Sequence, residues 1–368
     1  MAPLGLSAGM RKARELGRRS LSLAFASPRM VDPQAHYAPL ACDGILVLQR
    51  GENASTDYYL RPRLETFGAP VCLADFDSAP QDCPLLQPKG PQALMVIFCR
   101  YGAEPWLAAL RARRERLSRV AFFMDDDLPL MMRDPDLPRA VRGKAALHFG
   151  AHVDGLGRLA SEVWVSTPVL AERYAQAKPA VLAPLPDADP LPPDPDPPRK
   201  VVYHGTDVHP RERLFVLEIA RLLADLDVAF EITGGPALAR AASDLPRATV
   251  VPQLAWPQYL QRQAGERAAI CLAPLLASAL NAARAPVKAF DAARLGAAGL
   301  FADGEPYRGF VRDGEDGLVL PMQPQAWADA IRALLDDPGR RLRLAASAQR
   351  RLVALRRAGR DFPMPPAG

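Results

Sequence analysis

The most informative part of the chain is residues 271–303, which read CLAPLLASALNAARAPVKAFDAARLGAAGLFAD. The apolar run at 268–272 predicts a buried strand. Pro286 suits the first turn of a helix, because its missing N–H would have no partner there. The helix is expected to close at Gly296 or Gly299, and a second strand follows at once. This part of the chain therefore predicts a strand, a loop, a helix and a further strand.

Four polar side chains lie in this unit, beyond the C-terminal end of its first strand. Asn281 and Arg284 belong to the loop, and Lys288 and Asp291 share one helix face because they are three residues apart. The N-terminus of a helix offers unpaired N–H groups and the positive end of a dipole to a phosphate. Lys288 adds a cation, and Asp291 can accept hydrogen bonds from sugar hydroxyls. The pattern therefore suits a phosphorylated, sugar-containing ligand.

These residues resemble the nucleotide-sugar half of bacterial glycosyltransferases with the GT-B fold. The resemblance includes Pro274 and Leu275 before them and the turn VRDGEDGLVL at 311–320 after them. It is to the large family-4 type and to its relatives named glycosyltransferase family 1 proteins. It extends over 200–335 and, more weakly, over 40–183.

The resemblance also implies roles for the four polar residues. In the family an acidic residue of the helix holds the ribose of the donor, and Asp291 stands where that residue is usually Glu. The common Glu-x7-Glu signature has a second acid eight residues earlier, where this chain has Ala283. Some subfamilies instead have Asn-x-x-Arg/Lys-x-x-x-Lys-x-x-Glu, which the chain matches more closely through Asn281, Arg284 and Lys288. All four residues are therefore expected to bind the nucleotide sugar.

A chain of 368 residues suits two domains. Strands alternate with helices along it, which is typical of right-handed crossovers and parallel sheets. The resemblance implies an α/β fold of the GT-B type, in which two Rossmann-like domains with parallel sheets face each other across a cleft. The expected divisions are an N-terminal, flexible extension at 1–35, an acceptor domain at 36–183, a linker at 184–199, a nucleotide-sugar domain at 200–340, and a C-terminal helix and tail at 341–368.

The linker is predicted from composition, because eight of the fifteen residues at 184–198 are Pro. Such a segment is extended and semi-rigid. A long helix is predicted at 137–160, and a final basic helix at 340–357, with its arginines in solvent. His148 and His152 are four residues apart in the first of these helices, a spacing that can bind a metal. Solvated or hydrogen-bonded histidines are the alternative, and no metal is expected.

Composition narrows the class of protein. The 49% hydrophobic and 24% charged content is typical of a globular chain, and no run of eighteen apolar residues predicts a membrane span. The net charge of +5 favours anionic partners such as nucleotide phosphates, and is too small to indicate nucleic acid. The five cysteines are scattered and odd in number, so reduced thiols in a cytoplasmic protein are expected.

Residues 1–30 combine basic side chains with a short apolar stretch at 20–26. That stretch is too short for the core of a signal peptide. A basic amphipathic segment could contact a membrane surface, which would place the protein peripherally at the inner face of the membrane. A frayed N-terminal extension is the alternative.

Three carboxylates, Asp125, Asp126 and Asp127, follow a predicted strand at 119–124. Ligands of open α/β sheets bind at that edge, and adjacent carboxylates repel one another. One interpretation is therefore an acidic corner at the acceptor or associated with a metal, with Asp126 as the candidate catalytic residue. The other is that an Asp caps the turn that follows.

The first strand of the second domain is predicted to end in Gly205 and Thr206. In GT-B enzymes the loop after this strand faces the phosphates of the donor. Gly205 permits close approach of the backbone, and Thr206, Arg211 or Arg213 could bind a diphosphate. Helix capping is the alternative for Thr206.

The predicted function is sugar transfer from a nucleoside-diphosphate sugar to a glycan or lipid-linked acceptor, as in bacterial cell-surface polysaccharide assembly. No metal and no separate cofactor are expected, because Arg284 and Lys288 would stabilise the charge that develops on the leaving diphosphate. One alternative is a non-catalytic nucleotide-sugar-binding homologue, which Ala283 and the short side chain of Asp291 favour. Another is a sugar-nucleotide epimerase of the same fold, which would need more His and acidic groups. Turnover of the donor distinguishes an enzyme from a binding protein.

Overall fold

The computed structural model describes residues 42–206, 208–359 and 361–363. The predicted extension at 1–35, with its suggested membrane contact, lies outside these residues. Among the residues described, no helix is long and apolar enough to cross a membrane. The chain forms two compact units, one containing 42–52, 66–182 and 362–363, and the other containing 53–65 and 183–361.

The first unit is built on a six-stranded parallel sheet with the order β2-β1-β3-β4-β5-β6. β1 and β3 are buried along their whole length, as expected when helices cover both faces of a parallel sheet. The strands are β1 (Gly44–Gln49), β2 (Val71–Asp75), β3 (Leu94–Cys99), β4 (Leu117–Met124), β5 (Glu162–Val165) and β6 (Ala180–Val181).

The second unit has another six-stranded parallel sheet, with the order β12-β11-β10-β7-β8-β9. β10 and β11 are buried throughout, which confirms the two strands predicted around residues 268–303. The strands are β7 (Lys200–Tyr203), β8 (Ala229–Thr233), β9 (Ala248–Val251), β10 (Ile270–Ala273), β11 (Ala298–Ala302) and β12 (Leu318–Leu320).

Helices lie between most successive strands, so the alternation predicted from the sequence is present in both units. Two π turns, Thr56–Leu60 and Ala146–Gly150, adjoin them. The helices are α1 (Arg61–Leu64), α2 (Glu104–Arg111), α3 (Leu128–Met131), α4 (Arg139–Ala145), α5 (Val153–Gly157), α6 (Pro168–Arg173), α7 (Pro210–Leu222), α8 (Pro236–Ala241), α9 (Trp256–Ala264), α10 (Ala279–Ala282), α11 (Lys288–Arg294), α12 (Pro324–Asp336) and α13 (Pro338–Ala358).

The prediction of a single long helix at 137–160 is wrong, because this part of the chain forms α4, a π turn and α5. The carbonyl of His148 accepts a hydrogen bond from the Gly102 N–H, at 3.0 Å, in the loop after β3. A Cβ on Gly150 would lie 2.7 Å from the sulfur of Met132. Close packing on neighbouring segments therefore interrupts the helix where glycine permits it.

Residues 53–65 pack with the second unit, although the sequence placed them in the first domain. The carbonyl of Tyr58 accepts a hydrogen bond from the Leu185 N–H at 2.7 Å. The guanidinium of Arg63 is buried and donates to the carbonyls of Ala183 and Asp361, both at 3.0 Å. These backbone contacts hold the segment against the polypeptide that leads into the second sheet.

The proline-rich segment at 184–199 has no helix, and β7 begins directly after it. Side chains of α13 bind its backbone, since Arg341 donates to the Pro195 carbonyl and Gln349 to the Pro190 carbonyl, both at 3.2 Å. The basic helix at the C-terminus is confirmed, but the expectation that its arginines are only solvated is wrong. Arg341 is 6% exposed, and Arg351 forms an ion pair with Asp316 at 2.9 Å.

Candidate functional site

The strand order of the second sheet changes direction between β7 and β10. Ligands of open α/β sheets bind outside the carboxyl ends of the strands at such a switch point. The loops after β7 and β10 therefore form the candidate site, and they carry most of the predicted binding residues. Those that meet here are Gly205, Thr206, Asn281, Arg284 and Lys288.

Lys288 begins α11 and extends toward the loop after β7. Its ammonium donates to the carbonyl of His204 and to the carboxylate of Asp291, the latter at 2.8 Å. The side chain is 27% exposed. Because an ammonium has three N–H donors, one donor remains for a ligand at this edge of the sheet.

Asp291 lies beneath Lys288, and its side chain is only 6% exposed. Its carboxylate accepts hydrogen bonds from the Tyr58 hydroxyl at 2.7 Å and from Arg294 at 3.1 Å, besides the one from Lys288. Burial alone would raise the pKa of Asp291, but the positive charges of Lys288 and Arg294 outweigh it and lower the pKa. Asp291 is therefore an ionised carboxylate with three internal donors.

Glu212 on α7 connects the two loops of the site. It is 3% exposed, and its carboxylate accepts from the backbone N–H of Leu276 and from the side chain of Asn281, both at 3.2 Å. Arg284 donates in turn to the Asn281 side chain, at 3.3 Å. The predicted pair Asn281 and Arg284 is thus positioned from α7 through one buried acid.

In the loop after β7, the structure gives a steric reason for glycine at position 205. It gives no such reason for Arg211 as a binding residue. A Cβ on Gly205 would lie 2.4 Å from the Tyr203 hydroxyl, so a side chain has no room there. Thr206 and Arg211 are both exposed. Arg213 is 8% exposed and donates to the Gly205 carbonyl at 3.4 Å, so it lies closer to this loop's backbone than the sequence indicated.

The pKa of His209, at the start of α7, is lowered by burial and by nearby positive charges. Burial and then the charge of Arg284 lower its pKa, with a smaller contribution from Lys288. The contact of its Nδ1 with Glu212, at 3.7 Å, acts in the opposite direction and does not compensate. The imidazole is therefore neutral near pH 7, and the local charge favours an anion over a cation.

A second polar cluster surrounds the side chain of His204. The ligand atoms of His204, Glu231 and Glu266 are within 4.8 Å of one another, the one such group among the residues described. Arg262 binds both carboxylates at 2.8 Å, and Lys200 lies 3.8 Å from each. A metal cation would therefore face two positive charges, and the cluster is better described as an ion-pair network.

The acidic run of the first unit divides between two roles. Arg100 follows β3 and contacts Asp125 and Asp126 at 3.1 Å each. Arg100 has φ of 69°, an uncommon conformation for a residue with a side chain. Asp126 thus lies at the carboxyl edge of the first sheet in an ion pair, with 16% of its side chain exposed.

Asp127 has the capping role. It is fully buried, and it accepts a hydrogen bond from the Leu130 N–H at 2.9 Å as the N-cap of α3. Arg173 and the hydroxyl of Tyr174 bind the same carboxylate. The capping interpretation is therefore confirmed for Asp127, and the role of Asp126 at the acceptor stays a prediction.

The pair His148 and His152 does not lie on one helix turn. His148 belongs to the π turn, with its ring 5.5 Å from that of Tyr101, while His152 precedes α5 with φ of −120°. Neither belongs to a group of potential metal ligands in the described part of the chain. The alternative of ordinary helical or packed histidines is the better account.

Sequence reasoning missed Tyr58 and Glu212. Glu212 had a signal, because it lies on the apolar face of α7 in line with the buried Phe215, Val216 and Ile219. An acid on such a face is expected to have a buried partner. Tyr58 had none, since its contact with Asp291 joins residues far apart in the chain.

No protein-family model matches the sequence, and no curated protein matches it. Solved structures do match. Sucrose-phosphate synthase from Thermosynechococcus elongatus has a TM-score of 0.51 and 15% identity, covering 85% of this chain and 94% of that one. HepE from Anabaena in complex with UDP-glucose has a TM-score of 0.52 and 14% identity, with coverage of 85% and 95%.

Two further likenesses extend this comparison. An alpha-glucosyltransferase in complex with UDP and DNA has a TM-score of 0.55 and 11% identity, covering 83% of this chain and 94% of that one. A mutant of TarM from S. aureus has a TM-score of 0.50 and 12% identity, and this chain spans about half of it, 52%. At these identities the likenesses show the fold. The prediction of an α/β fold of the GT-B class, with two Rossmann-like parallel sheets, is confirmed.

Proposed function

We propose that this protein is a glycosyltransferase whose donor is a nucleoside-diphosphate sugar. The observation that carries the proposal is the convergence of Arg284, Lys288 and the Gly205 loop at the switch point of a GT-B-type sheet. The HepE structure is a complex with UDP-glucose, and the TarM structure is a complex with UDP. Both support a uridine nucleotide as the first donor to test.

The diphosphate is proposed to lie between the Gly205 loop and the start of α11. Arg284 and Lys288 would stabilise the charge that grows on the leaving nucleoside diphosphate, which is the task a metal performs in other transferases. Removing one such fixed charge costs about a hundredfold or more in turnover. Asn281 and Thr206 would bind phosphate or sugar oxygens, and Arg211 would approach only as an exposed cation.

The first unit is proposed to bind the acceptor at the carboxyl edge of its sheet. Asp126 and Arg100 lie there, as an ion pair next to the switch point between β1 and β3. The TarM structure contains fondaparinux and alpha-GlcNAc-glycerol, which supports a glycan or a glycan carrier as acceptor. We place the reaction in assembly of a cell-surface glycan.

A non-catalytic nucleotide-sugar-binding protein is the second candidate. Ala283 stands where the common signature has an acid, and Asp291 is occupied by internal contacts. Both candidates bind a nucleoside diphosphate, and they differ in turnover. Release of free nucleoside diphosphate from a panel of nucleotide sugars, with and without glycan acceptors, separates them.

The first experiment is thermal unfolding of the full chain with UDP, ADP, GDP, CDP and dTDP. A ligand at about 100 times its Kd stabilises the folded state by about 2.7 kcal/mol, so the matching nucleotide should raise the Tm. Arg284→Ala and Lys288→Ala should each weaken its binding about tenfold or more.

The matched control is Arg247→Ala. Arg247 is a half-exposed arginine of the same unit at the amino end of β9, opposite to the candidate site. Its binding of nucleotide should equal that of the wild type. The proposal fails if no nucleoside diphosphate raises the Tm of the wild type, or if the Arg284 and Lys288 variants bind as well as the control.

A further inference from the structure

The carboxylate that the resemblance assigns to the ribose is already occupied in this protein. Asp291 receives the Tyr58 hydroxyl at 2.7 Å, Lys288 at 2.8 Å and Arg294 at 3.1 Å. A carboxylate has about four lone-pair positions, so three are in use. The fourth belongs to a side chain that is only 6% exposed, which restricts the access of a sugar.

Tyr58 occupies one acceptor position of the Asp291 carboxylate and is held there by packing. It is 2% exposed, and its backbone carbonyl accepts from the Leu185 N–H at 2.7 Å. Its ring packs edge-on against Trp256 and Phe290, with centroids 5.4 Å away in both cases. Displacing the phenol would therefore break a packed aromatic cluster as well as a hydrogen bond.

The same carboxylate holds the cation of the candidate diphosphate site. Asp291 and the His204 carbonyl together fix the ammonium of Lys288 at the carboxyl edge of β7. Arg294 donates to the other carboxylate oxygen of Asp291, and it also binds Asp187 and the Gln263 side chain. The network thus orients Lys288 and uses three of the four acceptor positions of Asp291 within the protein.

We propose that the donor is recognised without its ribose 2′-hydroxyl, so that the site accepts 2′-deoxynucleoside diphosphates as well as ribonucleoside diphosphates. Asp291 is then a positioning residue that acts on the diphosphate through Lys288. This proposal rests on the proposed function, and it makes the 2′-deoxy class part of the donor range.

The test is calorimetric titration of the full chain with matched pairs, UDP with 2′-deoxy-UDP, and ADP or GDP with their 2′-deoxy forms. For the base that binds, the two Kd values should agree within about threefold. Asp291→Asn should weaken the binding of both nucleotides of the pair by the same factor. Lys288→Ala should have the same effect, and it provides the test if the Asp291 variant does not fold.

A ribose contact by Asp291 would give another pattern. The ribonucleotide would bind about tenfold or more tightly than its 2′-deoxy form, because a hydrogen bond to a charged group is lost, and Asp291→Asn would abolish that difference. This result overturns the inference and leaves the proposed function intact. Absence of binding by every nucleotide overturns both.

Two cysteines of the first unit lie side by side, independently of the donor site. The Sγ atoms of Cys72, in the edge strand β2, and of Cys83 are 3.9 Å apart, and both thiols are free. The contact with Cys72 lowers the pKa of Cys83 to about 6, with burial opposing it and the N–H groups of Leu85 and Leu86 assisting. Cys83 is 4% exposed and Cys72 is partly exposed, so a small oxidant would approach the pair from the side of Cys72. A thiol of lowered pKa beside a second thiol is a feature of peroxide-sensitive pairs.

We infer that Cys72 and Cys83 form a reversible disulfide when the protein meets hydrogen peroxide. The Cys83 thiolate attacks the peroxide oxygen and, with one proton, gives a sulfenic acid and water. The Cys72 thiol then attacks that sulfur, and its proton leaves with the hydroxyl as a second water. The two sulfurs lose two electrons, the peroxide gains them, and the Sγ atoms close from 3.9 Å to about 2.05 Å.

The test treats the reduced full chain with one equivalent of hydrogen peroxide. Two of its thiols should no longer react with an alkylating reagent, and the intact mass should fall by about 2 Da. Dithiothreitol should reverse both changes. Cys72→Ser should stop at a sulfenic acid on Cys83, which a dimedone probe captures. Cys271→Ser is the control, because burial raises the pKa of Cys271 to about 12 and its loss should leave the disulfide unchanged. Retention of all thiols, or a disulfide in the Cys83→Ser variant, overturns the inference.

Discussion

At the scale of single residues, the acidic run 125–127 shows how neighbours in sequence acquire different roles. Asp126 reaches Arg100 and the carboxyl edge of the first sheet, with part of its side chain exposed. Asp127 points into the protein, where the N-terminus of α3, Arg173 and Tyr174 satisfy its carboxylate. The burial of each residue, rather than its type, decides which one is available to a ligand.

Asp127→Ala should therefore lower the free energy of unfolding by about 3 kcal/mol, because it removes a helix cap and the buried carboxylate that Arg173 and Tyr174 share. Asp126→Ala should change it by less than about 1 kcal/mol and should lower transfer activity instead. Urea unfolding and a transfer assay measure the two effects. Equal stability of the two variants would contradict the assignment of the cap to Asp127.

At the scale of elements, α13 shows why a basic helix need not be a solvated one. Arg351 binds Asp316, whose side chain is 4% exposed, and its guanidinium lies 4.5 Å from the ring centroid of Phe310. Arg341 is buried against the Pro195 carbonyl of the proline-rich segment. The arginines of this helix therefore hold loops of the second unit in place.

Arg351→Ala should destabilise the protein by about 1–3 kcal/mol, because the buried carboxylate of Asp316 keeps only the Arg312 N–H at 2.8 Å. Arg350→Ala, on the same helix and exposed, should be within about 0.5 kcal/mol of the wild type. Thermal and urea unfolding of the two variants provide the comparison. An equal loss of stability in both variants would mean that the measurement reflects helix propensity and not the ion pair.

At the scale of the whole molecule, both units contain histidines whose environment opposes protonation. Burial lowers the pKa of His148, His152 and His209, and positive neighbours add to it, Arg50 for the first two and Arg284 for the third. In the unfolded chain each should titrate near 6.5. Below that pH the unfolded state binds more protons than the folded state.

Stability should therefore fall as the pH decreases from 7 to 5, and should be fully present above the unfolded value of 6.5. The expected loss is on the order of 1–2 kcal/mol, mostly from His209, because the other two are partly exposed and screened. Urea unfolding at pH 7, 6 and 5 measures it. Replacement of all three histidines by glutamine should make stability less dependent on pH. An unchanged slope would mean that other groups take up the protons.

Much of this fold was predictable because its signals are local. Continuous apolar runs predicted β10 and β11, prolines predicted helix starts, and the alternation of strands with helices predicted parallel sheets. The placement of Asn281, Arg284 and Lys288 at the carboxyl edge of the second sheet was also predicted, since the loop after a parallel strand must lie there. Their roles toward a ligand stay predictions.

The sequence alone determined the class of the fold and the edge of the sheet where a ligand would lie, since both depend on periodicity and on the order of elements. Only the tertiary structure decided the partners of the buried charges. Tyr58 meets Asp291 across 233 positions of sequence, and Glu212 meets Asn281 across 69. No local pattern encodes such contacts, because they depend on which side chains the packed sheets and helices bring together, and a buried carboxylate takes whatever donors that packing supplies.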